Sequence, residues 1–439
     1  MVNSYMREMP DHKSPRKAEI TSVPGDALEQ PKRMPAGAVS RAAMLASLQH
    51  RNYRIFFFGQ IISLTGTWMQ MVAEAWLIYE ITRSPLALGI MRFLHTIPVT
   101  MFTFYGGVLA DRFEKRSILV VTQCFALLLS VILYLLASQG DIRVWQVGMI
   151  AFGLGVTNAF DIPARQSFVV DMVGKKDLTN AIALNSSVFN SARIIGPAIA
   201  GIILSRISVA ACFLINAFSY AAVILGYLMM RLPLKANQAD KRNVRTVTGE
   251  ALRWIWKHSE VRVVFILVSM MSLFGMAYIA LMPVFAKDIL NIGPEGFGWL
   301  LTANGIGALV GSFTLAATGN QVNRSRLSLI GLGVFLVCMI LFAWSRNALL
   351  SSAILVFAGW GMIIFFATSN TLVQSHVSDS LRGRVMGIYS FCFIGLSPFG
   401  NFISGALAKW LHAPTAITMG CLIGMCFFAW AVVQNRFRT

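Results

Sequence analysis

Twelve stretches of the chain are almost unbroken runs of apolar side chains: 54–79, 86–110, 117–138, 144–161, 181–204 and 208–230, then 261–286, 297–319, 327–345, 348–373, 385–408 and 413–433. A helix rises about 1.5 Å per residue, so about 20 such residues cross a hydrocarbon core of about 30 Å, and each run predicts a transmembrane helix. Polar residues gather between the runs and in one long break, Arg231 to Glu260, which divides the twelve into six and six. The pattern predicts an all-α integral membrane protein with a tail over 1–50, a six-helix half over 51–230, a linker over 231–260, a second half over 261–433 and a short end over 434–439. Within the linker, Glu250 to His258 puts Leu252, Ile255 and Trp256 on one face and Arg253 and Lys257 on the other, as an interfacial amphipathic helix does. The tail carries Pro10, Pro15, Pro24, Pro31 and Pro35 among scattered charges with no apolar core, so it reads as disordered and not as a secretory signal.

Composition sharpens this picture. The 439 residues are 56% hydrophobic and 13% charged, against about 25% charged in soluble domains, which excludes a soluble enzyme. The formal charge of +18 raises the question of nucleic acid. Placing the N-terminus inside puts 29 Lys and Arg on the inner side and 6 on the outer side, spread over short segments and not gathered in one patch. The basicity is therefore an orientation signal: both termini are expected in the cytoplasm, and no nucleic-acid partner is expected.

The chemistry-bearing residues argue against catalysis. Cys124, Cys212, Cys338, Cys392, Cys421 and Cys426 lie in apolar runs without metal or redox spacing, and the six histidines do not cluster. With no phosphate-binding G-x-x-x-x-G-K-[ST] run either, no metal, cofactor or direct ATP drive is expected. Polar residues inside the apolar runs are more telling. Gln60, Ser63, Thr67, Gln70 and Glu74 recur at spacings of three, four, three and four in the first run, forming one polar stripe that cannot face lipid. Glu74 and Arg92 lie at similar depth, with His95 one turn from Arg92. They either compensate each other as an ion pair, or Glu74 is a protonatable coupling site. Arg193 shares a face with Ser186 and Asn190 in the fifth run and has no acid at its depth. It is satisfied by backbone carbonyls or a distant Glu74, or it receives an anionic group of a cargo. Gln70, Glu74, Arg92, His95, Asn190 and Arg193 are the cargo and coupling candidates.

Gly107-Val-Leu-Ala-Asp111-Arg112-Phe-Glu-Lys115-Arg116 follows the second run. It resembles the G-x-L-a-D-R-x-G-R-[RK] signature between helices two and three of the major facilitator superfamily, with Glu114 where the pattern has Gly. Arg51-Asn-Tyr-Arg-Ile-Phe, Asp161-Ile-Pro-Ala-Arg165-Gln166, Asn180-Ala-Ile-Ala-Leu-Asn185 and Leu381-Arg382-Gly383-Arg384-Val385 narrow the resemblance to the branch of enterobactin exporters, macrolide efflux proteins and related secretion permeases. The resemblance covers 50–433. It implies two pseudo-symmetric halves and a charge lock at the inner ends, for which Gly107, Asp111, Arg112, Arg116, Asp161, Arg165, Asp379, Arg382 and Arg384 are the candidates. Arg193-Ile-Ile-Gly196-Pro197-Ala-Ile-Ala200-Gly201 resembles the G-P-x-x-G-G element of antiporter members, and Ser397-Pro398-Phe-Gly400 is its counterpart in the second half. Gly196, Pro197 and Pro398 are read as helix-bending positions. The helix-four arginine of R-x-x-q-G exporters is missing, since Met149 precedes Phe152-Gly153.

What the resemblance implies is a monomeric secondary transporter of the bacterial cytoplasmic (inner) membrane. It exports a siderophore or amphipathic drug by alternating access, with protons as the coupling ion. An importer of the same fold, a channel or receptor, and a membrane enzyme are the alternatives.

Overall fold

In a computed structural model, residues 45–230, 244–318 and 323–436 are described, and Leu45–Thr439 forms one compact unit. The tail before 45, the linker before 244 and the last three residues lie outside the described residues. Among the described residues twelve helices are long and apolar enough to span a membrane: α1 Arg51–Thr82, α2 Pro85–Arg112, α3 Lys115–Gln139, α4 Val144–Gly174, α5 Lys176–Arg206, α6 Val209–Met229, α7 Ser259–Ile289, α8 Gly293–Thr318, α9 Arg324–Trp344, α10 Ala348–His376, α11 Leu381–Leu411 and α12 Ala413–Gln434. Among the described residues there is no strand. Lipid offers no hydrogen bonds, so a spanning backbone must satisfy itself, and the helix does so internally.

Most helices extend beyond their apolar runs at one or both ends, most of all α4, which continues 13 residues past the expected end at 161 to Gly174, whereas α6 falls one residue short of its run at each end. The extension carries Arg165 and Asp171, which hid it from a hydropathy reading. Gly174 separates α4 from α5 with φ 69° and ψ −178°, a conformation open essentially to glycine alone. Residues 46–49, expected in the tail, instead form a short 3₁₀ turn docked on the start of α5: the Ser47 amide donates to Asn180 Oδ1 at 3.0 Å and its hydroxyl to the Asp177 carbonyl at 3.0 Å.

Connections of one to four residues, such as 83–84, 113–114 and His412, make sequential helices antiparallel neighbours. One end of the bundle therefore carries Arg51, Arg112, Lys115, Lys176 and Arg324 and is called the basic end. The opposite end carries Thr82, Pro85, Arg206, Ile289 and Leu411. Between α6 and α7 a linker helix, Val244–Lys257, packs Ala251 and Ile255 inward, while Leu252 and Trp256 are 43% and 62% exposed. The expected apolar face is thus split: Ile255 is core, and Leu252 and Trp256 are outward.

Small residues set the closest helix crossings. A Cβ on Gly89 in α2 would lie 2.6 Å from the Asn401 carbonyl oxygen in α11, and one on Gly201 in α5 would lie 3.0 Å from the Glu295 carbonyl oxygen in α8. Gly298 fits against the Pro197 carbonyl. Both crossings join the two halves, and both lie toward the opposite end.

The proline positions differ in effect. Pro197 sits in unbroken helix. Pro398 follows a π turn, Phe391–Gly395, and the Ile394 carbonyl, to which the proline nitrogen cannot donate, accepts the Ser397 hydroxyl at 2.8 Å. Gly196 allows close approach to α1, where its Cβ would meet Trp68 Cβ at 2.6 Å.

Candidate functional site

The polar stripe of α1 is buried or half-buried, and Gln60, Thr67, Gln70 and Glu74 are hydrogen-bonded within the first half. At its basic-end side, Gln60 donates to the Tyr227 hydroxyl at 3.2 Å and accepts from Arg165 Nη1 at 2.9 Å. Arg165 pairs with Asp161, which is 1% exposed and also accepts from Thr122 at 3.1 Å and Gln123 at 2.9 Å. Deeper in, Gln70 Oε1 accepts from Ser130 at 2.7 Å and Asn216 Nδ2 at 2.6 Å. With its oxygen so occupied, the Gln70 amide must turn its nitrogen to Glu74, and Nε2 lies 2.7 Å from Glu74 Oε1.

Glu74, Arg92 and His95 line one cavity of about 40 Å³ together with Met71 and Val147 of the first half and Ile279, Phe297 and Leu301 of the second. That volume holds about three waters. Among the described residues Glu74 and Arg92 do not close into an ion pair. Arg92 Nη1 instead meets the Met71 sulfur at 2.8 Å, and its buried Nε has no hydrogen-bond partner. His95 Nε2 lies 3.4 Å from Asn158 Nδ2. The three thus share one cavity, while Arg92 turns its Nη1 to Met71 and not to Glu74.

Asn190 bonds back to the Ser186 carbonyl at 2.9 Å on its own helix. Arg193 reaches across the halves, donating from Nη2 to Asn304 Oδ1 of α8 at 2.7 Å. Among the described residues neither a backbone carbonyl nor Glu74 serves it; the partner is a neutral side-chain amide that a hydropathy reading passes over.

Of the inner charge candidates, Arg116 and Arg384 hold separate partners in this conformation. Asp111 and Arg112 are exposed at the end of α2, Arg116 donates to the Leu228 carbonyl at 2.9 Å, and Arg384 pairs with Glu250 of the linker helix at 2.8 Å. Arg382 is exposed, a Cβ on Gly107 would meet nothing within 4 Å, and the Asp379 side chain lies outside the described residues. Asp161 and Arg165 belong to the interior of the first half.

A second charged set, not singled out in the sequence, joins the halves at the opposite end. Lys287 of α7 pairs with Glu80 of α1, Tyr79 donates to Asp288, and Arg83 Nη1 lies 3.5 Å from Asp288 Oδ1. Arg83 ends α1 at φ 49°. These residues had been counted only as outer-loop charge. The contacts between halves described here, from Arg193–Asn304 through Phe93–Phe399 to Glu80–Lys287, run from the bundle middle to this opposite end.

Residues 42–439 match the family of transmembrane secretion effectors. The staphyloferrin A transporter of Staphylococcus aureus (strain NCTC 8325 / PS 47) is 26% identical over 360 residues, covering 81% of this chain and 89% of that protein. The multidrug efflux pump Tap of Mycolicibacterium fortuitum is 24% identical, covering 82% and 90%, and macrolide efflux protein A of Streptococcus pyogenes is 21% identical, covering 82% and 91%. Among solved structures, the nucleoside transporter NupG superposes with a TM-score of 0.69 at 12% identity over 88% of this chain and 99% of that one. A bacterial homologue of the iron transporter ferroportin in the inward-facing state superposes at 0.64 with 14% identity, covering 87% and 98%. The chain belongs to the transmembrane secretion effector family and is a multi-pass secondary transporter of the major facilitator fold.

Proposed function

We propose that the protein exports a small molecule from the cytoplasm in exchange for protons, with its basic end and both termini on the cytoplasmic side. The observation that carries this reading is the cavity between the halves at which Glu74, Arg92 and His95 meet Phe297 and Leu301. A carboxylate, a guanidinium and an imidazole on one small cavity supply a group that can take and give a proton beside a fixed charge. Among the described residues the contacts given above between the halves run from the middle to the opposite end, which supports entry of cargo from the basic end and its passage outward by rocking of one half against the other. The efflux pumps among the relatives support the outward direction, and the siderophore transporter and drug pumps bracket the cargo. The excess of Lys and Arg at the basic end supports the orientation. The protein acts as a carrier and not as an enzyme.

Everted vesicles test this reading with ethidium, macrolides and catecholate siderophores as a cargo panel. Accumulation driven by an acid interior, collapse with nigericin, and loss in Glu74→Gln at normal expression are expected. Accumulation that ignores the proton gradient overturns the coupling, and gradient-driven accumulation confined to right-side-out vesicles overturns the direction. A carboxy-terminal green fluorescent fusion, fluorescent only in the cytoplasm, checks the orientation.

A further inference from the structure

The seam between α5 and α8 holds hydrogen-bond donors without an acid to receive them. Arg193 keeps part of its surface exposed and spends Nη2 on Asn304 Oδ1 at 2.7 Å. Asn304 is 3% exposed, and its own nitrogen makes a long contact of 3.4 Å to the Leu355 carbonyl. Beside both, the hydroxyl of Tyr278 in α7 is buried next to the Asn304 amide, without a hydrogen bond of good geometry. A buried hydroxyl left unmatched is costly, and a guanidinium satisfied by a neutral amide forgoes the stronger charge-assisted bond. The surroundings are close-packed: the Thr302 hydroxyl donates to the Ile194 carbonyl at 3.1 Å, and a Cβ on Gly305 would lie 2.8 Å from Ile194.

We propose that Arg193, Tyr278 and Asn304 form a binding site for the carboxylate of an amphipathic organic acid, with Asn304 Oδ1 standing in for the carboxylate oxygen while the site is empty. The proposal rests on the transporter reading above and names its cargo class. The carboxylate takes Nη2 of Arg193 from Asn304 and accepts the Tyr278 hydroxyl. Arg193 belongs to the first half and Asn304 to the second, so the exchange removes a hydrogen bond that holds the halves together at mid-bundle. Cargo thereby loosens the seam that must part for release at the opposite end, which is the differential contact that alternating access requires.

The test uses the full chain in nanodiscs and a matched pair of probes, 1-naphthoate and neutral 1-naphthamide. Naphthoate is expected to bind at least about tenfold more tightly, the discrimination of one charge-assisted hydrogen bond. Arg193→Gln abolishes the preference, Arg193→Lys keeps part of it, and Tyr278→Phe weakens naphthoate alone. Asn304→Asp places a built-in carboxylate against Arg193 and is expected to weaken naphthoate about tenfold or more while leaving naphthamide unchanged. A purely structural Arg193–Asn304 bond predicts no change in that variant. Equal binding of the two probes, no binding of naphthoate to wild type, or a preference that survives Arg193→Gln overturns the site. Gradient-driven ethidium export that persists while naphthoate fails to bind separates failure of this site from failure of the exporter reading.

Discussion

The indole of Trp76 and the ring of Phe297 stack across the two halves, with centroids 6.1 Å apart and planes inclined by 27°, while the Lys287 ammonium stands 5.3 Å from the centre of the Trp76 ring. Lys287 also holds Glu80, so one cation from the second half grips two residues of the first. Its side chain is 16% exposed. A partly shielded pair and a cation–π contact contribute about 0.5–1 kcal/mol each. Lys287→Met is therefore expected to raise the population open at the opposite end by about five- to thirtyfold. Spin-label distances across that end check this, and an unchanged distance distribution rejects the lock.

Two glycine substitutions separate contacts between halves from contacts within one. Gly89→Ala drives a methyl toward the Asn401 carbonyl, across the α2–α11 crossing that closes the opposite end. The halves can part to relieve it, so the variant folds normally and shifts toward opposite-end-open. Gly307→Ala meets the Val356 carbonyl of α10 inside the second half, where no transport motion gives relief. Overpacking there costs about 1–3 kcal/mol. Thermal unfolding in detergent is expected to fall for Gly307→Ala and hold for Gly89→Ala, with cysteine accessibility at the opposite end changing only for Gly89→Ala.

The span pattern was legible because lipid forbids any other solution: a chain that must satisfy its own backbone writes twelve apolar runs. What escaped was set by tertiary proximity. The end of α4 carries Arg165 and Asp171 and reads as a loop until α1, α3 and α6 are seen to enclose the Asp161–Arg165 pair. Lys287 and Glu80 read as two outer charges among several, because only the meeting of α1 with α7 makes them a pair. Asn304 stands alone between glycine and alanine residues, and nothing in its neighbours along the chain announces Arg193.

Gln70 positions Glu74 through bonds that can be cut one at a time. Ser130 and Asn216 both donate to Gln70 Oε1, which commits the amide nitrogen to the carboxylate. Gln70→Leu removes the donor to Glu74 and strands two buried donors, at about 1–3 kcal/mol each. Asn216→Ala leaves the Ser130 bond in place and costs less. The pH at which export is half-maximal is expected to move strongly in Gln70→Leu and weakly in Asn216→Ala. A pH profile identical to wild type in Gln70→Leu means that Gln70 only packs.

Asp161 and Arg165 distinguish a buried structural pair from the inner lock implied by the resemblance. Asp161 is enclosed by Thr122, Gln123 and Arg165, and Arg165 Nε is buried without a partner. Removing one member of such a pair leaves an uncompensated charge, at a cost of about 3–5 kcal/mol, whereas replacing both with apolar groups of similar volume is often close to neutral. Arg165→Met should therefore destabilise the protein severely in detergent, and Asp161→Leu combined with Arg165→Met should recover most of that loss. If the pair were instead the working part of a lock between the halves, each single variant would keep its stability and lose transport. Thermal unfolding measured beside export in the same vesicles decides between the two, because the structural account requires stability to fall first in Arg165→Met and to return in the double variant.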